Sequence, residues 1–170
     1  MKTGSILRIG IMSLVATIFV LPSCHRKTAE ESLREWVQGV GERVEKKDAR
    51  GLLDRIGEDY ADSEGRSRQE TAAMVESYFE KYRGIVVHVL ACRIQIASPE
   101  SAFVEVDVAV SSGAAEALRR LIRFSGECYR FRCRLRRAKG GWLATYAEWE
   151  PVDSENLFPD SVQMLKEIFS

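Results

Sequence analysis

At Ile85 the spacing of apolar residues changes from helical to alternating, and the alternation then persists almost to Trp149. A two-residue period puts successive side chains on opposite faces of a strand, whereas one face of a helix recurs every three or four residues. The pattern predicts strands over 85–96, 101–111, 124–137 and 141–149, parted by Ser98-Pro99-Glu100, a longer connection and Lys139-Gly140-Gly141. Ala102, Val104, Val106, Val108 and Val110 share one face, as do Tyr129, Phe131, Cys133 and Leu135; the opposite faces hold Glu105 and Asp107, then Arg130, Arg132, Arg134 and Arg136. One face is core and the other is wet. Short connections favour antiparallel neighbours, so four strands form a meander. With its first turn centred on Pro99, His88, Leu90, Cys92 and Ile94 face inward and Arg93 lies opposite Glu105. A two-residue and a three-residue final turn put Tyr146 on opposite faces, so its side stays open.

Three helices come before the strands. Thr28 to Glu31 reads as a capping box ahead of an apolar stripe at Leu33, Trp36, Val37, Val40 and Val44. A shorter helix starts after Asp48, carries Leu52, Leu53 and Ile56, and stops at Gly57. Residues 58–65 are polar and turn-like. Ser67 to Glu70 repeats the capping box before Thr71, Met74, Val75, Tyr78, Phe79 and Tyr82, a helix expected to bury Tyr78 and Phe79 on the inner sheet face. Between the second and third strands, Ala114, Ala117, Leu118, Leu121 and Ile122 recur at helical spacing, a short amphipathic helix or lid whose Leu118 and Leu121 are a candidate contact surface. Asp160 can cap a last helix that docks on the body through Val162, Leu165, Ile168 and Phe169.

The N-terminus is a targeting segment. Lys2 and Arg8 precede residues 9–21, which hold no charge, and this run is shorter than the roughly 20 apolar residues that span a bilayer. Leu21-Pro22-Ser23-Cys24 follows and resembles the lipobox of bacterial lipoproteins, with proline a less usual middle residue. That resemblance implies cleavage before Cys24 and lipidation of its thiol, hence a signal peptide over 1–23, a lipidated tether over 24–29 and a membrane partner held by acyl chains. Because His25 and not aspartate follows the cysteine, it also favours the outer membrane, with the body facing the periplasm. The other reading is an ordinary secretory signal with a free cysteine beside it.

Residues 24–170 fit one domain with a sizeable core. The chain balances 25 basic against 25 acidic residues, and the signal holds two of the basic ones, so no basic excess points to nucleic acid. With Cys24 lipidated, Cys92, Cys128 and Cys133 remain. Their spacing matches neither a zinc knuckle nor a redox pair, which leaves them as small core residues and suggests no metal and no cofactor. Cys92 and Cys133 are two strands apart, roughly 9 to 10 Å at ~4.8 Å per strand, too far for a disulfide.

Helices first, then a curved antiparallel sheet, with Asp59 to Asp62 and Gly65 in the linker and a closing strand running from Gly140-Gly141-Trp142 to Trp149, resemble the NTF2-like (SnoaL-like, cystatin-like cone) superfamily over residues 30–150. The resemblance implies an α+β cone: N-terminal helices packed on a curved four-stranded antiparallel sheet around a pocket, with 151–170 as a C-terminal extension. It spans ketosteroid isomerases, dehydratases, polyketide cyclases and non-catalytic binding or dimerising domains. No catalytic motif of these carries over residue by residue.

The inward polar inventory is small: His88, Tyr129, Tyr146 under the turn length that turns it inward, and Tyr60 with Asp62 on the linker are the candidate pocket residues. His88 is the one histidine beyond the tether, so no histidine-based metal site can form around it. It is either a pocket-rim histidine or a general base titrating near the working pH. The arginine ladder is either a solvated face paired with Glu105, Asp107 and Glu148 or an anion-binding stripe. Trp36, Trp142 and Trp149 read as core. The resulting expectation is a non-catalytic module of the cell envelope that binds a small apolar ligand or an envelope protein. Its alternative is a small cone-fold enzyme doing proton transfer, hydration or isomerisation with His88 as base.

Overall fold

The computed structural model describes residues 27–112 and 127–169. The elements are α1 (Ala29–Glu45), α2 (Ala49–Leu53), β1 (Ile56–Asp62), α3 (Arg68–Lys81), β2 (Ile85–Ser98), β3 (Ser101–Ser112), β4 (Glu127–Ala138), β5 (Gly141–Pro151) and α4 (Pro159–Phe169). Both capping boxes form: Thr28 Oγ1 accepts from the Glu31 N–H at 3.1 Å while Glu31 accepts from the Thr28 N–H at 2.7 Å, and Ser67 and Glu70 do the same ahead of α3. Asp48 caps α2, accepting from the Gly51 N–H. Each such cap contributes about 1 kcal/mol.

The sheet has five strands in the order β1-β5-β4-β3-β2, and it is mixed. The four-stranded antiparallel expectation fails at residues 58–65, because β1 pairs in parallel with β5. The Arg55 carbonyl accepts from the Ala144 N–H, and the Ala147 carbonyl accepts from the Ser63 N–H. Gly57 and Tyr60 are buried while Glu58 and Asp59 are exposed, so a short edge strand with mostly polar residues looks like a turn in sequence. For the same reason α2 ends at Leu53 and leaves Ile56 to the sheet.

The main core lies between the inner sheet face and α1. Leu33, Trp36 and Val37 from the helix meet Tyr60, Val104, Val106, Val108, Leu135 and Trp142. A second core lies on the opposite face, where Leu157, Val162, Leu165 and Ile168 cover Leu90, Ala109 and Cys128. The C-terminal helix therefore docks as expected, and it does so on the face expected to be wet.

Two β-bulges set which residues face which core. The β4–β5 turn has two residues, Lys139 and Gly140, since Ala138 pairs with Gly141; Gly141, at φ +127°, adopts a backbone conformation that disfavours side chains. Beyond Leu135↔Ala144 the pairing jumps to Arg134↔Tyr146, so Thr145 is extra and Tyr146 turns outward. In β2 the pairing goes from Ala91↔Asp107 to Val89↔Val108, so Leu90 is extra. This corrects the inward assignment of His88 and Leu90. Val87 and Val89 face the main core, Leu90 enters the second core, and His88 lies opposite Ala109 on the α4 side; Cys92 and Ile94, beyond the bulge, keep their inward side.

Helix α3 is the other correction. It contacts β1 and α2, and its one buried residue is Thr71. Tyr78 is 52% exposed and Phe79 only half-buried, so neither is the inner-face anchor expected from its spacing.

Candidate functional site

Inside the cone, β4 and β5 present a wall of aromatic rings. Phe131 and Trp149 are cross-strand partners with ring centroids 6.0 Å apart, and Tyr129 tilts against Phe131 at 6.4 Å. The C-terminal end of α3 contributes Tyr78 and Tyr82, stacked at 6.1 Å. These two tyrosines lie near Tyr129, whose hydroxyl donates to Glu127. That bond, then burial, pushes the Tyr129 phenol up to about 12. Tyr129, Phe131 and Trp149 remain only half-buried, so this wall is not closed by the described residues.

At the β1 side of the interior stand Tyr60 and Asp62, both buried. Burial pushes the Tyr60 phenol up to about 12, and the nearby Asp62 charge adds to it. Asp62 is occupied by the turn into α3: it accepts from the Glu64 and Arg66 N–H groups at 2.9 Å each and from Arg66 Nε at 2.6 Å. Burial works against its ionisation, but those donors outweigh it and hold the carboxyl below its ordinary range. Gly65, at φ +78°, makes the tight turn that lets them converge. The Arg66 guanidinium then lies 5.2 Å over the Trp149 ring. Cys133 is nearby, its thiol pushed up to about 12 by burial, and Cys92, Cys128 and Cys133 are all free.

The structure thus divides the five candidate pocket residues. Tyr60, Asp62 and Tyr129 belong to the inner face. His88 and Tyr146 are on the other face, each moved there by a one-residue bulge. Leu118, Leu121 and Cys24 lie outside the described residues. Phe131 and Trp149, read from sequence as core, and Arg66, not singled out at all, form the wall. Their sequence signal was the cross-strand pairing of two aromatics, which needs the register of β4 against β5 to be known.

The outer face is split by α4. Asp107, expected on a wet face, is completely buried. Arg130 donates to it through Nε at 2.7 Å and Nη2 at 3.0 Å, and the Phe158 N–H and Ser161 hydroxyl add bonds of 2.8 and 2.9 Å. Burial would raise its pKa, but these four donors prevail and lower it. Asp107 therefore caps the start of α4 from across the sheet, while Asp160, expected to do so, lies within the helix. Beyond α4, Arg132 binds Glu105 at 2.8 Å, Glu150 at 2.9 Å and Glu148 at 3.4 Å. The Tyr146 hydroxyl donates to Glu148 at 2.8 Å. Among the described residues no group of three or more metal-ligating side chains comes together, and no described helix is long and apolar enough to cross a membrane.

No family model and no curated protein matches the chain's sequence. Solved structures do resemble it. An NTF2-like protein of unknown function from Pseudomonas putida superposes with a TM-score of 0.60 at 18% identity, over 77% of this chain and 94% of that one. A Streptomyces avermitilis protein from the NTF2-like family, provisionally named a dehydratase, gives 0.61 at 15% identity over 73% and 96%. Bd1075 from Bdellovibrio bacteriovorus gives 0.59 at 14% identity over 71% of this chain, which spans only 40% of Bd1075. The domain therefore has the α+β NTF2-like cone fold. At these identities the likeness is one of fold alone.

Proposed function

We propose that this chain is a lipid-tethered module of the bacterial envelope that binds a flat apolar molecule inside the cone without transforming it. The supporting observation is the inner face itself: half-buried Tyr129, Phe131 and Trp149 offer a ring-stacking surface, while Asp62, the buried carboxylate there, is committed to Arg66 and two backbone N–H groups. A general base must reach substrate with a free lone pair near its working pH. Asp62 is held ionised with three donors on its two oxygens, and His88 faces the α4 side of the sheet. The enzyme reading that relies on His88 within the cone therefore has no support from this geometry.

The binding reading is tested with N-phenyl-1-naphthylamine, a neutral fluorescent probe. The purified chain is expected to bind it saturably. Phe131→Leu and Trp149→Leu, checked for folding by circular dichroism, should each weaken binding about tenfold, the order of magnitude of one lost aromatic contact of ~1.4 kcal/mol. His88→Ala should leave affinity within about twofold. Unchanged affinity in both leucine variants would sink this reading.

Tethering rests on the sequence around Cys24, where an uncharged run too short to span a bilayer precedes Leu21-Pro22-Ser23-Cys24. Growth with labelled palmitate should mark the wild-type chain and leave Cys24→Ser unmarked. Label persisting in Cys24→Ser would remove the lipid anchor from the proposal.

A further inference from the structure

On the outer face, beyond the area covered by α4, a cavity of about 500 Å³ is lined by Arg93, Phe103, Glu105, Arg132, Arg134 and Tyr146, among others. Two of its three guanidinium groups lie over aromatic rings. Arg134 lies 4.3 Å from the Tyr146 ring centre, and Arg93 lies 3.6 Å from that of Phe158. Stacking of this kind fixes the plane of a guanidinium while leaving its N–H edge available. Among the described residues neither group forms an ion pair, whereas Arg132 takes Glu105, Glu148 and Glu150. The carboxylates of the trough are thus already engaged, and two oriented cations are not.

Between those cations sits an apolar surface. Phe103 is 47% exposed, Arg134 is its direct partner across β4, and Gln95 is its partner across β2. Direct partners lie about 5 Å apart, and Arg93, two residues from Gln95, is a diagonal neighbour at roughly 7 to 8 Å. An exposed ring flanked by two uncommitted forked donors matches a molecule with a flat apolar body and an anionic end, because carboxylates and phosphates accept paired N–H bonds from one guanidinium.

We propose that this trough is a second binding site, distinct from the cone interior, for an amphipathic anion: its apolar body lies on Phe103, its carboxylate or phosphate is held by Arg134, and Arg93 adds its positive charge from the other side of the ring. The site does not depend on the cone-interior reading, since it occupies the opposite face of the sheet.

The probe is 1-naphthyl phosphate, titrated calorimetrically into the purified full chain, with 1-naphthol and inorganic phosphate as the two halves of the ligand. Saturable binding is expected, at least tenfold tighter than either half and weakened by added salt. Arg134→Gln should cost about tenfold, and Arg93→Gln and Phe103→Ala several-fold each. Vesicles containing phosphatidic acid that bind through the same arginines would identify a lipid headgroup as the source of the anion. The proposal is overturned if no saturation occurs into the millimolar range, or if the Arg93→Gln/Arg134→Gln double variant binds as the wild type does. It is equally overturned if Phe131→Leu abolishes binding while Arg134→Gln does not, which would place the probe in the cone. A wild-type dimer by sedimentation that Arg134→Gln dissociates would assign the trough to a second copy of the chain and overturn it as well.

Discussion

Asp107 ties three elements of the outer face together: β3, β4 and the start of α4. It is fully buried, bonded to Arg130, and joins β3 to the start of α4 through the Phe158 N–H and the Ser161 hydroxyl. Removing one member of a buried pair leaves the other charge without compensation, a loss of about 3 to 5 kcal/mol. Asp107→Ala is therefore expected to lower stability by that amount in urea titrations at neutral pH. The pH dependence has a definite sign. Because the folded pKa lies below the unfolded value, the stabilisation is complete above the ordinary carboxylate range and is lost as pH falls below about 4, through the folded pKa. Asp62 acts in the same direction. Wild type should thus lose stability between pH 5 and 3 more steeply than Asp107→Asn, and parallel curves would remove Asp107 from the account. The thiols give a second residue-scale test. Burial raises the pKa of Cys92, Cys128 and Cys133, so a thiolate-directed alkylating reagent at pH 8 should label them slowly in the folded chain and rapidly in denaturant.

Among the elements, α1 and α3 contrast most. Both start with a formed capping box and both carry large hydrophobic residues at helical spacing, yet α1 buries Leu33, Trp36 and Val37 while α3 buries Thr71 alone. Periodicity shows that a helix has an apolar face but not how closely the rest of the molecule approaches it. Leu33→Ala should therefore cost about 2 to 5 kcal/mol, the range for a large core residue cut to alanine. Tyr78→Ala, at a half-exposed position, should cost under about 1 kcal/mol. Equal losses at the two positions, measured by thermal melting, would contradict the arrangement. The capping boxes, the Asp48 cap and the limits of β2, β3 and β5 to within about two residues were legible in the sequence because each depends on neighbours a few positions away. β1 was not, because Glu58 and Asp59 at an edge strand look the same in sequence as in a turn.

At the scale of the whole molecule, one sheet serves two cores, one under α1 and a smaller one under α4. The second exists because residues 152–169 return across the outer face, bringing Leu157 onto Leu90 and Ala109 and the Phe158 ring beneath the guanidinium groups of Arg93 and Arg130. Ending the chain at Pro151 would expose that apolar surface and strip Asp107 of two donors while the main core keeps its contacts. The truncated chain is expected to retain strand signal in circular dichroism, melt at a clearly lower temperature and bind hydrophobic dyes on its outer face. An unaltered melting temperature would show that α4 contributes nothing to stability.

The sequence by itself determined the α+β class, the order of helices and strands, the antiparallel pairing of β2 through β5 and the apolar faces of β3 and β4, since all of these follow from local periodicity and short connections. It could not determine the sides on which His88 and Tyr146 lie. A strand has a period of two, so one extra residue reverses every side chain beyond it, and the bulges at Leu90 and Thr145 leave no mark in composition or alternation. Where those bulges fall is decided by packing between distant segments, with Leu90 drawn outward to Leu157 more than sixty residues later. The same long-range return of the chain converted Asp107 from a solvated carboxylate into a buried cap. Thus the elements were legible in the sequence, while the facing of the candidate site residues was settled only when the two cores closed on opposite sides of one sheet.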